Sequence, residues 1–116
     1  MNKQGKVWGF TSHLFAKNNV SIHRIHVNPK GYCSKHKHNH KFNMFFVEEG
    51  QLDIEVWKND YDLVDTTTLK KGEHTTIKPS EFHRFRNTSS KDAIIYEIYW
   101  TELDEGDITR ESVGGK

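Results

Sequence analysis

Apolar residues recur at every second position through most of this chain, and no segment carries an apolar stripe at the 3.6-residue helical spacing. That period limits the chain to strands. VSIHRIHV (20–27) sets Val20, Ile22, Arg24 and His26 against Ser21, His23, Ile25 and Val27, and it is rich in β-branched residues. NMFFVEEG (43–50) is an aromatic run that ends in glycine. LDIEVWK (52–58) places Leu52, Ile54 and Val56 on one face and Asp53, Glu55 and Trp57 on the other. TTIKP (75–79), HRFRN (83–87) and AIIYEIYW (93–100) continue the pattern. Turn signals fall at Gly50, Asn59-Asp60 and Lys71-Gly72, with NTSSKD as a loop. Short strands separated by such turns predict an all-β sandwich or barrel with few or no helices.

A length of 116 residues suits one domain spanning 1–116, with a polar stretch at 101–116. Only 34% of residues are apolar, but 14 aromatics (3 Trp, 4 Tyr, 7 Phe) offset this, since each buries a large area. The 17 basic and 16 acidic residues are interspersed, which gives no electrostatic footprint for nucleic acid. No stretch approaches the ~20 apolar residues of a membrane helix. A lone cysteine, Cys33, and an N-terminus without a signal-peptide apolar run predict a cytoplasmic protein.

The chemistry concentrates in HKHNH (36–40). On a strand, His36, His38 and His40 share one face, so their imidazoles can converge on one ion. By itself the pattern fits a solvated strand with interleaved lysines equally well.

The wider context resembles the cupin superfamily. GYCSKHKHNHKFNMFFVEEG (31–50) is similar to the first cupin motif, with His36 and His38 in its HxH and Gly50 at its closing glycine. GEHTTIKPSEFHRFRN (72–87) is similar to the second, carrying Gly72, Pro79, His83 and Asn87. The resemblance implies a double-stranded β-helix, or jelly-roll barrel, with His36, His38 and His83 as metal ligands. Gly31 stands one residue closer to His36 than the pattern expects, Pro79 is displaced by one, and the family's glycine beside it is Ser80. The family's ligand Glu is Asn43, whose neutral amide oxygen is a weaker donor. Three arrangements stay open: the three histidines with Asn43 and water, His40 as a fourth ligand, or a metal-free polar pocket.

Within the superfamily the chain is most similar to cupin-type mannose-6-phosphate isomerases. KVWGF (6–10) resembles their opening, with Val7 in place of its Pro. HRIHVNPKG (23–31) resembles their strand followed by Pro-Gly. AIIYEIYWTELDEGDITR (93–110) resembles their closing strand and acidic stretch, Arg110 included. The likeness implies one divalent ion (Zn, Mn, Fe or Ni) and a small carbohydrate or sugar-phosphate ligand. The alternatives are a three-histidine Fe(II) oxygenase and a non-catalytic small-ligand-binding cupin. Glu97 interrupts an apolar strand and is the candidate base if it faces the pocket. Lys41, Arg84 and Arg86 flank the histidines as phosphate donors, but alternation turns both arginines outward if His83 points in. Trp8, Phe45, Phe46, Trp57, Tyr96, Tyr99 and Trp100 read as core or dimer interface, and Cys33 as a small buried residue. Exposed sheet edges and the aromatic surplus predict a homodimer, with the segment around Trp8 pairing across the interface.

Overall fold

Residues 2–58, 63–101 and 114 are described by the computed structural model, and they contain nine strands and no helix. These are β1 (Asn2–Lys6), β2 (Gly9–Lys17), β3 (Val20–Val27), β4 (Phe42–Glu49), β5 (Gln51–Trp57), β6 (Val64–Lys70), β7 (His74–Ile77), β8 (Phe82–Arg86) and β9 (Ala93–Trp100). They form a six-stranded sheet of order β1-β2-β3-β9-β4-β7 and a three-stranded sheet of order β6-β5-β8. Every pairing is antiparallel. The Asn59-Asp60 turn and the tail from 102, Arg110 included, lie outside the described residues.

The alternation read from the sequence sets which face is dry. Phe45 and Val47 of β4, Leu52 and Ile54 of β5, Phe85 of β8, Ala93 and Ile95 of β9, and Ile25 and Val27 of β3 are all buried and interlock between the sheets. Each large apolar side chain among them contributes about 1.5–3 kcal/mol by leaving water. The opposite faces stay partly exposed. Arg84 and Arg86 point outward and share the Glu55 carboxylate, with contacts of 3.0 and 3.2 Å.

Three strands escape the sequence reading. β2 is broken by a bulge between His13 and Phe15, which spoils its alternation. β6 (VDTTTLK) buries Leu69 alone, so its threonines show no apolar period. β1 is polar throughout and exists because its backbone pairs with β2.

Two glycines are required where the chain turns back. Gly50 has φ +79° in the β4–β5 turn, and a Cβ there would lie 2.6 Å from the Asp92 carbonyl oxygen. At Gly9 a Cβ would run into the His26 carbonyl, so the Trp-Gly pair lets β2 lie against β3. Trp8 then packs edge-on against Phe85 of its own chain at 4.9 Å. Asn87 is fully buried and holds a corner: its amide donates to the Val27 and Lys91 carbonyls at 3.1 and 2.8 Å, and its oxygen accepts from the Ser89 amide at 3.0 Å.

Candidate metal centre and adjoining cavity

HKHNH is not a strand. Only His36 pairs, in an isolated bridge to His83, with amide–carbonyl distances of 3.0 and 2.8 Å in the two directions. The His38 carbonyl accepts from the Ser80 amide at 2.6 Å, and the chain then bends at Asn39 and His40. With no apolar residue to bury, this segment has no reason to join the sheet. The bend separates the three histidines expected on one face: His36 and His38 turn inward, and His40 is exposed to solvent.

His83 arrives from β8, where alternation buries it beside Phe85. His36, His38 and His83 each offer a ring nitrogen, and these atoms lie within 4.8 Å of one another. Ring centroids are 4.5 Å apart for His36–His83, 5.2 Å for His36–His38 and 5.5 Å for His38–His83. Two of the rings are oriented by backbone. His36 Nδ1 lies 2.8 Å from the Ser34 carbonyl and His83 Nδ1 lies 3.0 Å from the Glu81 carbonyl, so each donates there and leaves its lone pair on Nε2.

Two buried polar atoms here have no partner: His38 Nε2 and Asn43 Oδ1. Buried polar atoms are costly to leave unpaired, so each of these is suited to meet a metal ion, a ligand or a water. Asn43 is fully buried, and its Nδ2 lies 3.4 Å from both His83 Nε2 and Glu97 Oε2. Three imidazoles and an amide oxygen suit a borderline divalent cation, so the residues present fit a metal ion. His40 lies outside the three-histidine cluster.

Burial shapes the protonation of the site. It pushes His83 down to about 4, against the pull of the Glu81 carbonyl, and it lowers His38 too, with help from His36. Both shifts favour the neutral ring that a metal ligand must present. Competition from protons at these two sets in at a lower pH than unperturbed rings would give. Burial raises the Glu97 carboxyl, opposed by hydrogen bonds from Tyr99 and Asn43 and by the charges of His36 and Lys6. Tyr99 is raised by burial and by Glu97. Cys33 is buried, accepts the Phe85 amide at 3.2 Å and is pushed up to about 12, so it is an inert core thiol.

A cavity of about 300 Å³ opens beside the histidines. His36, Glu97 and Tyr99 line it together with Gln4, Lys6, Thr11 and His23, and with the apolar Ile25 and Phe85; His23 is the direct strand partner of Glu97. Glu97 therefore faces the cavity, as its reading as a base requires. Lys6, Gln4 and His23 were not legible as site residues, because the strands that carry them are tied to the histidines only through the sheet. No signal in the sequence marks Gln4 and Lys6, because β1 is polar on both faces.

The sequence matches the Cupin domain family over residues 23–99, a span that includes both motifs. The chain is a member of the cupin family. Its fold is shared with the cupin domain of Schizosaccharomyces pombe Cnp3 (TM-score 0.75, 14% identity, 88% of this chain and 69% of that one). It is similar as well to the Staphylococcus aureus capsular polysaccharide assembling protein CapF (TM-score 0.79, 16% identity, 91% of this chain and 30% of that one). A third likeness is to Lactobacillus farciminis oxalate decarboxylase in a formate complex (TM-score 0.75, 17% identity, 88% of this chain and 31% of that one). At these identities the likeness is one of fold. No curated protein matches the sequence.

Proposed function

We propose that this cupin holds one divalent metal ion on His36, His38 and His83, and uses it to bind or act on a small carbohydrate or sugar phosphate in the adjoining cavity. The observation that carries the reading is the pair of orphaned buried atoms, His38 Nε2 and Asn43 Oδ1, beside two imidazoles whose other nitrogens are tied to backbone carbonyls. Asn43 is the weak fourth partner. A bound ion supplies Lewis acidity toward a ligand carbonyl or hydroxyl. Tyr99 and Asn43 hold Glu97 in the cavity wall, buried and able to carry a proton, which is the part an isomerase-like proton transfer needs. The cavity's size and mixed lining suit a monosaccharide-sized molecule better than a large apolar one.

A second reading, a three-histidine Fe(II) oxygenase, draws support from the absence of a carboxylate in the histidine cluster. Elemental analysis of protein purified without nickel resin separates the two. Zinc or manganese with sugar-phosphate turnover supports the first, and iron with oxygen uptake the second. His83→Ala abolishes stoichiometric metal in either case. Metal-free protein that binds small sugars points to a non-catalytic module, and full metal in His83→Ala together with loss in His40→Ala overturns the ligand set.

We also propose a homodimer, formed through the outer face of the six-stranded sheet rather than through Trp8, which is engaged by its own core. Register aligns Phe15, Ile22, Ile98 and Met44 in one row on that face, and Val20, Trp100 and Phe42 in the next. Phe15 is 48% exposed, and Phe42 stacks on Trp100 at 5.5 Å. Sedimentation showing a monomer at tens of micromolar overturns this.

A further inference from the structure

The charges around the cavity specify its ligand more narrowly than its size does. Among the described residues, the groups available to the ion are neutral: three imidazoles and the Asn43 amide. An ion bound by them keeps its full double charge, because the carboxylate that would offset it is absent from the cluster. Glu97, the one carboxyl lining the cavity among the described residues, is 9% exposed, sits beside Asn43 and Tyr99 and makes no ion-pair contact. The same cavity is lined by Lys6, whose ammonium forms no ion pair among the described residues. Gln4 and Thr11, directly paired across β1 and β2, flank it with an amide and a hydroxyl. Alternation puts Gln4 and Lys6 on one face of β1, and pairing to β2 aims that face into the cavity.

Resting on the metal-centre reading, we propose that the cavity takes a small polyhydroxylated organic anion, and that its anionic group is bound at Lys6 with Gln4 and Thr11. The hydroxylated remainder extends toward His36, Glu97 and Tyr99. The charge sense of the cavity repels cations and gives a neutral sugar nothing to set against Lys6. A carboxylate or a phosphate satisfies the ammonium equally well in charge, so either source of anionic oxygen fits.

The test is calorimetric and needs no turnover. Zinc-loaded and metal-free wild-type protein are titrated with gluconate, glucose 6-phosphate and, as uncharged counterparts, sorbitol and glucose. At low salt we expect at least one anion to bind zinc-loaded protein about ten-fold or more tightly than its uncharged counterpart. Tighter binding of gluconate assigns a carboxylate, and tighter binding of glucose 6-phosphate a phosphate. Lys6→Met and Lys6→Gln, on an exposed strand, should retain the wild-type melting temperature and lose most of that preference. An equal preference in the Lys6 variants overturns the proposal, as does wild-type protein that binds anion and uncharged sugar alike. Metal content measured on the same samples isolates the underlying reading. If zinc is not held, the metal-centre reading fails, whereas a Lys6-dependent preference in the metal-free protein sustains the anion site.

Discussion

The two ends of the barrel interior are built by the same strands and differ in nearly every physical respect. At one end, Val47 of β4, Ile95 and Ala93 of β9, Val27 and Ile25 of β3, and Leu52 and Ile54 of β5 form a dry, close-packed layer. Moving along each strand by two or four residues reaches the other end. There β4 presents Asn43, β9 presents Glu97 and Tyr99, β3 presents His23, and β8 presents His83 in place of Phe85. The backbone does not change; only the inward-facing residue does. The dry end supplies stability. The polar end spends some of it, holding an unpaired carboxyl, a neutral histidine and two orphaned acceptors. A fold keeps such an arrangement when the groups have a partner to meet.

Breaking the dry end should have the largest effect. Phe45 is fully buried between Phe85 and His83. Phe45→Ala should cost about 3–5 kcal/mol in chemical denaturation, through lost burial and an unfilled cavity. A loss under ~1 kcal/mol would mean that the two ends do not differ as described.

The polar end should then show itself in pH dependence. His83 titrates near 4 in the folded metal-free protein and at an ordinary value of 6.5 when unfolded. Between those values the unfolded chain binds more protons, so stability falls as pH drops from 6.5 to about 4 and levels off below. The full drop is about 3 kcal/mol at most. His83→Gln should remove most of that slope, measured by urea midpoints across the window.

Glu97 should tilt the other limb. Its folded value is raised above 4.5, so its contribution is present in acid and is lost as pH climbs toward that folded value. Glu97→Gln should flatten the decline with rising pH while leaving acid stability within about 1 kcal/mol. An unchanged decline above pH 4.5 would show that burial does not raise the Glu97 carboxyl.

The smallest change tests the centre most finely. Asn43→Asp keeps the shape and places a carboxylate where Oδ1 lacks a partner. It should tighten a divalent ion by roughly ten-fold or more, read by competition with a chelator, whereas Asn43→Ala should weaken it only modestly. If Asn43→Asp binds no better than the wild type, Asn43 does not face the ion.

Much of this architecture was written in the alternation. Strands β3, β4, β5, β8 and β9 stand within a residue or two of their sequence boundaries, because each buries one face and therefore has to alternate. The resemblance to the two cupin motifs, rather than the alternation, brought His83 into the same account as His36 and His38, across more than forty residues. Where a strand buries little, as in β1 and β6, or carries a bulge, as in β2, the sequence held no period to read.

What tertiary structure alone decided is which polar residues share a space. His40 belongs to the same short run as His36 and His38, yet a bend sends it to solvent, and no local property of HKHNH announces that bend. Lys6 and Glu97 lie on strands that do not pair with each other, and they line one cavity only because β1, β2, β3 and β9 stand side by side in one sheet. Local sequence determines whether a residue faces in or out, because side-chain direction follows the backbone's own two-residue repeat. Which inward residues meet depends on sheet order and register, and these are fixed by the packing of the whole barrel.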